Sequence, residues 1–243
     1  MRMNEPQSPS PFAPQRGYSA GFYRLLAWLS PGFPIGAFSY SHGLEAAAES
    51  GAVRDRASLQ RWIAAVVASG SGRVDAAILR DAYGAATADD IQALTIANRR
   101  GLAFRATTEI GVETAAQGGA FLYTCRAAWP EPFLDRWAER LDGDAVCHAA
   151  AIGAATAQAG IPVDCALLGY LQAMAANLVS AGLRLGVIGQ TDGQRILAAL
   201  EPVIVAAVAG ALTRPPEAFG SATFAVDLAS MAHETQYTRL FRS

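Results

Sequence analysis

Cys165-Ala166-Leu167-Leu168-Gly169-Tyr170-Leu171-Gln172-Ala173-Met174-Ala175-Ala176-Asn177-Leu178-Val179-Ser180-Ala181-Gly182-Leu183 contains no charged residue, and Arg184 closes it. A second apolar run, Ile196–Leu212, is broken only by Glu201 and Pro202. Segments of this kind either cross a bilayer, which takes about 20 apolar residues, or form the centre of a large helical domain. Gln172 and Asn177 lie within the first run, and Glu201 lies inside the second. An unpaired carboxylate in lipid costs about 3 kcal/mol or more. Neither run carries the Trp/Tyr belts or basic flanks of a true span. The residues therefore favour central core helices over transmembrane segments.

Working outward, the apolar positions recur at helical spacing along most of the chain. Gly21–Leu29 places Phe22, Leu25, Leu26 and Leu29 on one stripe. Ser30-Pro31-Gly32-Phe33-Pro34 breaks it, because proline disfavours helical geometry in the residue before it. A short helix is expected from Ser39 or Ser41 to Glu49, and Ser58 is a candidate N-cap for the next. Further helices are expected over 73–86, 88–100, 103–128, 132–141, 145–159, 163–187, 192–212 and 222–236, with Thr191 and Gln194 at capping-box spacing. No stretch alternates at period two. The expected fold is all-α, a single compact helical-bundle domain of about ten helices over residues 21–243. Residues 1–20 hold Pro6, Pro9, Pro11 and Pro14 without an apolar core, which predicts a disordered N-terminal arm rather than a signal peptide.

Small residues recur at four-residue spacing: Gly111, Ala115 and Gly119; Ala150 and Ala154; Gly182 and Gly186. Glycine inside a helix costs about 1 kcal/mol relative to alanine. Its repeated use predicts close approach of neighbouring helices. GC-rich coding would inflate Ala, Gly and Arg without producing the spacing.

Composition narrows the function classes. Of 243 residues, 52% are hydrophobic, which supports a large core, and only 16% are charged, against about 25% in ordinary soluble domains. So sparse a charge suggests a surface partly covered by partners or by a second copy. A net charge of −2 gives no basis for nucleic-acid binding. All 19 basic residues are arginine, which removes Schiff-base chemistry, a lysine general base and a P-loop lysine. Cys125, Cys147 and Cys165 are scattered and odd in number, as expected of reduced thiols in the cytoplasm.

Chemical individuality is concentrated in two islands. The first is Phe33-Pro34-Ile35-Gly36-Ala37-Phe38-Ser39-Tyr40-Ser41-His42-Gly43-Leu44-Glu45; the second is Met231-Ala232-His233-Glu234-Thr235-Gln236-Tyr237-Thr238-Arg239-Leu240-Phe241-Arg242-Ser243. Neither reads as a catalytic or metal centre. His42, His148 and His233 lie on different segments, and adjacent Cys147 and His148 would point about 100° apart on a helix. His233-Glu234 starts an HExxH pattern, but position 237 is Tyr. Ser39 and Ser41 lack nucleophile-elbow context, and no phosphate loop is present. Phe38 and Tyr40 suit interface anchors, or equally plugs of the domain core. Arg239, with five fixed donors, suits several carbonyls or a carboxylate. A separate possibility is a small-molecule pocket, of a helical enzyme or carrier, at Tyr40, His42 and His233.

The two islands together resemble the urease accessory protein UreF family. The first matches an aliphatic-Pro-aliphatic-Gly-small-aromatic-Ser run leading to Gly-Leu-Glu. The second matches Met-x-His-Glu-x-x-Tyr-x-Arg-Leu-Phe-x-Ser at Met231, His233, Glu234, Tyr237, Arg239, Leu240, Phe241 and Ser243. Ala46 stands where many relatives carry an aromatic. The resemblance covers about residues 21–243. It implies a cytoplasmic, non-enzymatic homodimer without cofactor or resident metal. Such a protein bridges UreD (also called UreH) and the GTPase UreG on apo-urease, and regulates GTP-dependent nickel insertion. It also implies partner-binding roles for Phe38, Tyr40, His42, Glu45, His233, Glu234, Tyr237, Arg239, Leu240 and Phe241.

Overall fold

Asp55 opens a long helix by accepting from the Ser58 amide at 2.8 Å, while Ser58 Oγ accepts from the Asp55 amide at 3.0 Å. Ser58 is thus the reciprocal third residue of a capping box rather than the cap itself, because its side chain reaches back one turn. Asp90 and Thr107 cap later helices by accepting from the Ala93 and Ile110 amides, without a reciprocal bond. The expected box at Thr191 and Gln194 does not form: that helix starts one residue after Gly189, which has no capping side chain.

The computed structural model describes residues 20–243; but for Ala20, the expected N-terminal arm lies outside them. Eleven α-helices and no strand occur among the described residues, so the chain is all-α. They are α1 (Ala20–Trp28), α2 (Leu44–Glu49), α3 (Arg56–Ser69), α4 (Ser71–Thr87), α5 (Ile91–Ala103), α6 (Thr108–Ala128), α7 (Pro132–Leu141), α8 (His148–Gln158), α9 (Val163–Arg184), α10 (Gln190–Thr213) and α11 (Phe224–Glu234). A 3-10 turn at Ala37–Ser39 replaces the earliest expected start of the second helix. Gly43, at φ 76°, lets the chain turn from that loop into α2.

Helices α4 and α8 form the centre, with α3, α5, α6 and α9 around them. One connected apolar cluster runs from Leu25 to Phe241. Close approach between helices rests on glycines other than most of those singled out by spacing. A side chain at Gly118 on α6 would collide with the Val146 carbonyl, and one at Gly153 on α8 with the Leu79 carbonyl. At Gly182 it would meet Leu59 at 2.5 Å. Gly119 instead faces open space, Gly111 has only Arg105 Cβ at 4.0 Å, and Gly186 follows the end of α9 at φ 72°. A four-residue repeat marks one face of a helix, but only the fold decides whether that face is covered.

Three helical stretches are long and apolar enough to cross a membrane: α3 with α4, α9, and α10. The first two bury half or more of their most apolar windows inside the protein. Helix α10 buries Ile196, Leu200, Ile204 and Val208 but leaves Val205 and Leu212 exposed. It is a half-covered helix rather than a central one.

Candidate functional site

The two islands meet. After α11 the chain doubles back, and its last residues run beside Ser39–Ser41: the Arg242 amide donates to the Ser39 carbonyl at 2.8 Å, and the Ser41 amide to the Ser243 carbonyl at 2.7 Å. The Ser41 hydroxyl donates to the same Ser243 oxygen. Gly43 makes room for α11, because a Cβ there would stand 2.8 Å from the Ser230 amide nitrogen.

Glu45, in the first turn of α2, is the hub. Its carboxylate accepts the Leu240 amide at 2.7 Å and the Phe241 amide at 2.9 Å, and it lies 3.0 Å from His233 Nε2. Burial pushes the Glu45 carboxyl up, but the Leu240 amide, His233 and the Phe241 amide together outweigh it, so it sits below its ordinary value of 4.5. On its other side His233 Nδ1 lies 2.7 Å from Glu109, whose second oxygen accepts from Arg239 at 2.7 Å. Both imidazole nitrogens can donate at once only when the ring carries both protons. One turn along α6, Glu113 accepts from the Ser243 hydroxyl at 3.0 Å and the Gln117 amide at 3.1 Å, and lies 3.3 Å from His42 Nδ1. Arg184 of α9 donates to the Phe38 carbonyl and covers the Phe241 ring at 4.3 Å.

This geometry divides the candidate residues into two groups. Tyr40, His42, Glu45, His233 and Phe241 are buried inside the joint. Phe38, Glu234, Tyr237, Arg239 and Leu240 are exposed, with Phe38 at 69%, Leu240 at 62% and Tyr237 fully open. Of the two uses open to Phe38 and Tyr40, Tyr40 takes the core position and Phe38 the surface one. The pocket considered at Tyr40, His42 and His233 does not form. His42 lines a cavity, but Tyr40 and His233 are not among its walls, because His233 is enclosed between two carboxylates. Among the described residues, no three His, Cys, Asp or Glu side chains gather as a metal site.

Sequence reasoning passed over Glu109 and Glu113. They stand four apart, with Gln117 four further on, so they form one polar stripe on an otherwise apolar helix. That stripe was the available signal.

A model of the UreF family matches residues 53–201. The chain belongs to that family. It is 49% identical to a protein named urease accessory protein UreF from Bradyrhizobium sp. (strain ORS 278), over 92% of each chain. It is 48% identical to the protein of that name from Azorhizobium caulinodans, over 90% of this chain and 94% of the relative. It is 46% identical to that from Rhodopseudomonas palustris (strain BisB5), over 100% of this chain and 98% of the relative. The family model covers α3 to the first half of α10, the helical frame, and the joined islands lie outside it.

Proposed function

We propose that this UreF-family chain acts in urease maturation as a non-catalytic assembly protein, by presenting the joined islands to other proteins. The supporting observation is the segregation at that joint: a buried polar latch fixes the backbone, and Phe38, Tyr237, Leu240 and Arg239 stand outside it. Exposed aromatics on a rigid base lose little conformational entropy on binding and supply concentrated interface energy. In this reading UreD (UreH) covers the rim and holds the tail in its docked position. UreG then docks on the completed face, and the assembly on apo-urease passes nickel as cargo under control of GTP hydrolysis. The buried residues Tyr40, His42, Glu45, His233 and Phe241 contribute by holding the rim in shape. The chain works as a cytoplasmic homodimer, and the sparse charge of its surface supports a covered face.

Co-purification from cells expressing the urease operon tests this. Phe38→Ala combined with Tyr237→Ala and Leu240→Ala is expected to keep the melting temperature and lose capture of UreD and UreG. Full recruitment of both partners with normal urease activation by that variant overturns the proposal. Light scattering is expected to show a dimer at about 10 µM, a concentration suited to micromolar self-association.

A further inference from the structure

Beside the joint, with Phe38 and His42 among its walls, lies a cavity of about 300 Å³. Its outer wall is apolar, with Trp28, Phe33, Ile35 and Met174; its inner end is polar, with Asp75, Arg105, His148 and Tyr170. At the polar end His148 Nε2 is buried without a partner. His148 is 8% exposed and Asp75 is 4% exposed. Asp75 Oδ1 is ion-paired with the Arg105 guanidinium at 2.8 Å. Asp75 Oδ2 is already engaged, accepting from the Tyr170 hydroxyl at 2.9 Å. Buried polar atoms are almost always paired with protein, water or ligand, and the unpartnered His148 nitrogen in this cavity calls for an occupant.

The surrounding charges define its character. Asp75 and Arg105 cancel each other. Glu113, the other carboxylate on this wall, already accepts from Gln117 and Ser243 and faces His42. Burial pushes the His148 imidazole down to about 4, against the opposing pull of Asp75 and Glu113 and with help from Arg105. The ring is therefore neutral, with one N–H and one lone pair to offer. An anionic ligand meets the Glu113 carboxylate, and a cationic one competes with Arg105 for Asp75.

We propose that this cavity binds a small uncharged organic molecule, an aromatic or branched aliphatic body carrying a hydroxyl or primary amide that hydrogen-bonds at His148 and Asp75. The apolar wall takes the body and the polar end takes the head, the usual division of a ligand pocket. The site adjoins the docking rim through Phe38 and His42 but is tested without any partner.

Titration of the full chain with benzyl alcohol, ethylbenzene and benzoate, followed by calorimetry and by the ring nitrogen resonances of His148, decides it. Benzyl alcohol is expected to saturate, to shift those resonances, and to bind about tenfold more tightly than ethylbenzene, the factor supplied by one net hydrogen bond. Benzoate is expected to bind more weakly than the alcohol. Ala173→Trp, which fills the cavity from α9, is expected to abolish binding while unfolding stays cooperative. His148→Phe is expected to bind alcohol and hydrocarbon alike. Equal affinity of the unaltered chain for the two, tightest binding by benzoate, or binding that survives Ala173→Trp overturns the proposal. So does absence of binding by all three, which leaves water as the sole occupant.

Discussion

Where α8 crosses α4, and where α6 meets the start of α8, backbone lies against backbone with only hydrogen atoms of glycine between. Where the two islands join, a carboxylate fills the gap instead, and Glu45 takes two amides and an imidazole at once. The first contact depends on volume and tolerates no added atom. The second depends on donors and acceptors and tolerates no lost one. Three carboxylates, Glu45, Glu109 and Glu113, hold the last dozen residues in one conformation.

The sharpest way to break that contrast is Gly118→Ala. The new methyl meets the Val146 carbonyl and the His148 amide, backbone that cannot shift cheaply, so stability is expected to fall by about 3 kcal/mol or more in chemical denaturation. Gly119→Ala, one residue along with nothing within 4 Å, is expected instead to stabilise by about 0.5–1 kcal/mol. If the two behave alike, volume is not what fixes the α6–α8 contact.

Next in size is the pH response of His148, which sits at that same contact. Its value falls from 6.5 to about 4 on folding, so the stability it permits is complete above pH 6.5 and is lost as pH falls towards 4. The loss over that window is about 3 kcal/mol, and His148→Phe is expected to flatten it in denaturation measured at several pH values. Glu45 acts lower on the scale: its depressed carboxyl gives stability that is complete above 4.5 and lost as pH falls through its folded value.

Glu45→Ala tests the polar side of the comparison. It strands His233 and the Leu240 and Phe241 amides, and is expected to cost about 2 kcal/mol. The loss has a ceiling, because the tail can undock while the helical frame stays folded. Hydrogen exchange is expected to quicken at Leu240, Phe241 and Arg242 and stay unchanged in α4 and α8; acceleration throughout would join the two regions into one cooperative unit. The smallest effect belongs to Arg239→Ala. Its side chain is 40% exposed, so stability is expected to change by about 0.5 kcal/mol or less. A larger fall would place Arg239 inside the latch rather than on its rim.

The all-α class and most of the helices were legible because apolar residues recur at helical spacing and Pro, Gly and Asp mark the ends. Gly111 and Gly119 misled because spacing identifies a face without saying what covers it. The islands were legible as composition, but not as partners of each other: the Ser41–Ser243 contact joins residues 202 apart in sequence. Glu109 and Glu113 were hidden for a related reason. Their role depends on α11 and the tail folding back over α6, and no local pattern encodes that return.

Cys125 and Cys147 are buried, and Cys165 alone is exposed, in the first turn of α9. Burial and the neighbouring Asp164 raise the Cys165 thiol, so maleimide coupling proceeds slowly near neutrality and faster in mild alkali. At about 1.5 Å per residue, the 22-residue helix sets that position about 30 Å from the end that carries Arg184 against the tail. A fluorophore on Cys165 is thereby a ready ruler for energy transfer to a labelled protein arriving at the far end, with no cysteine to be engineered in or out.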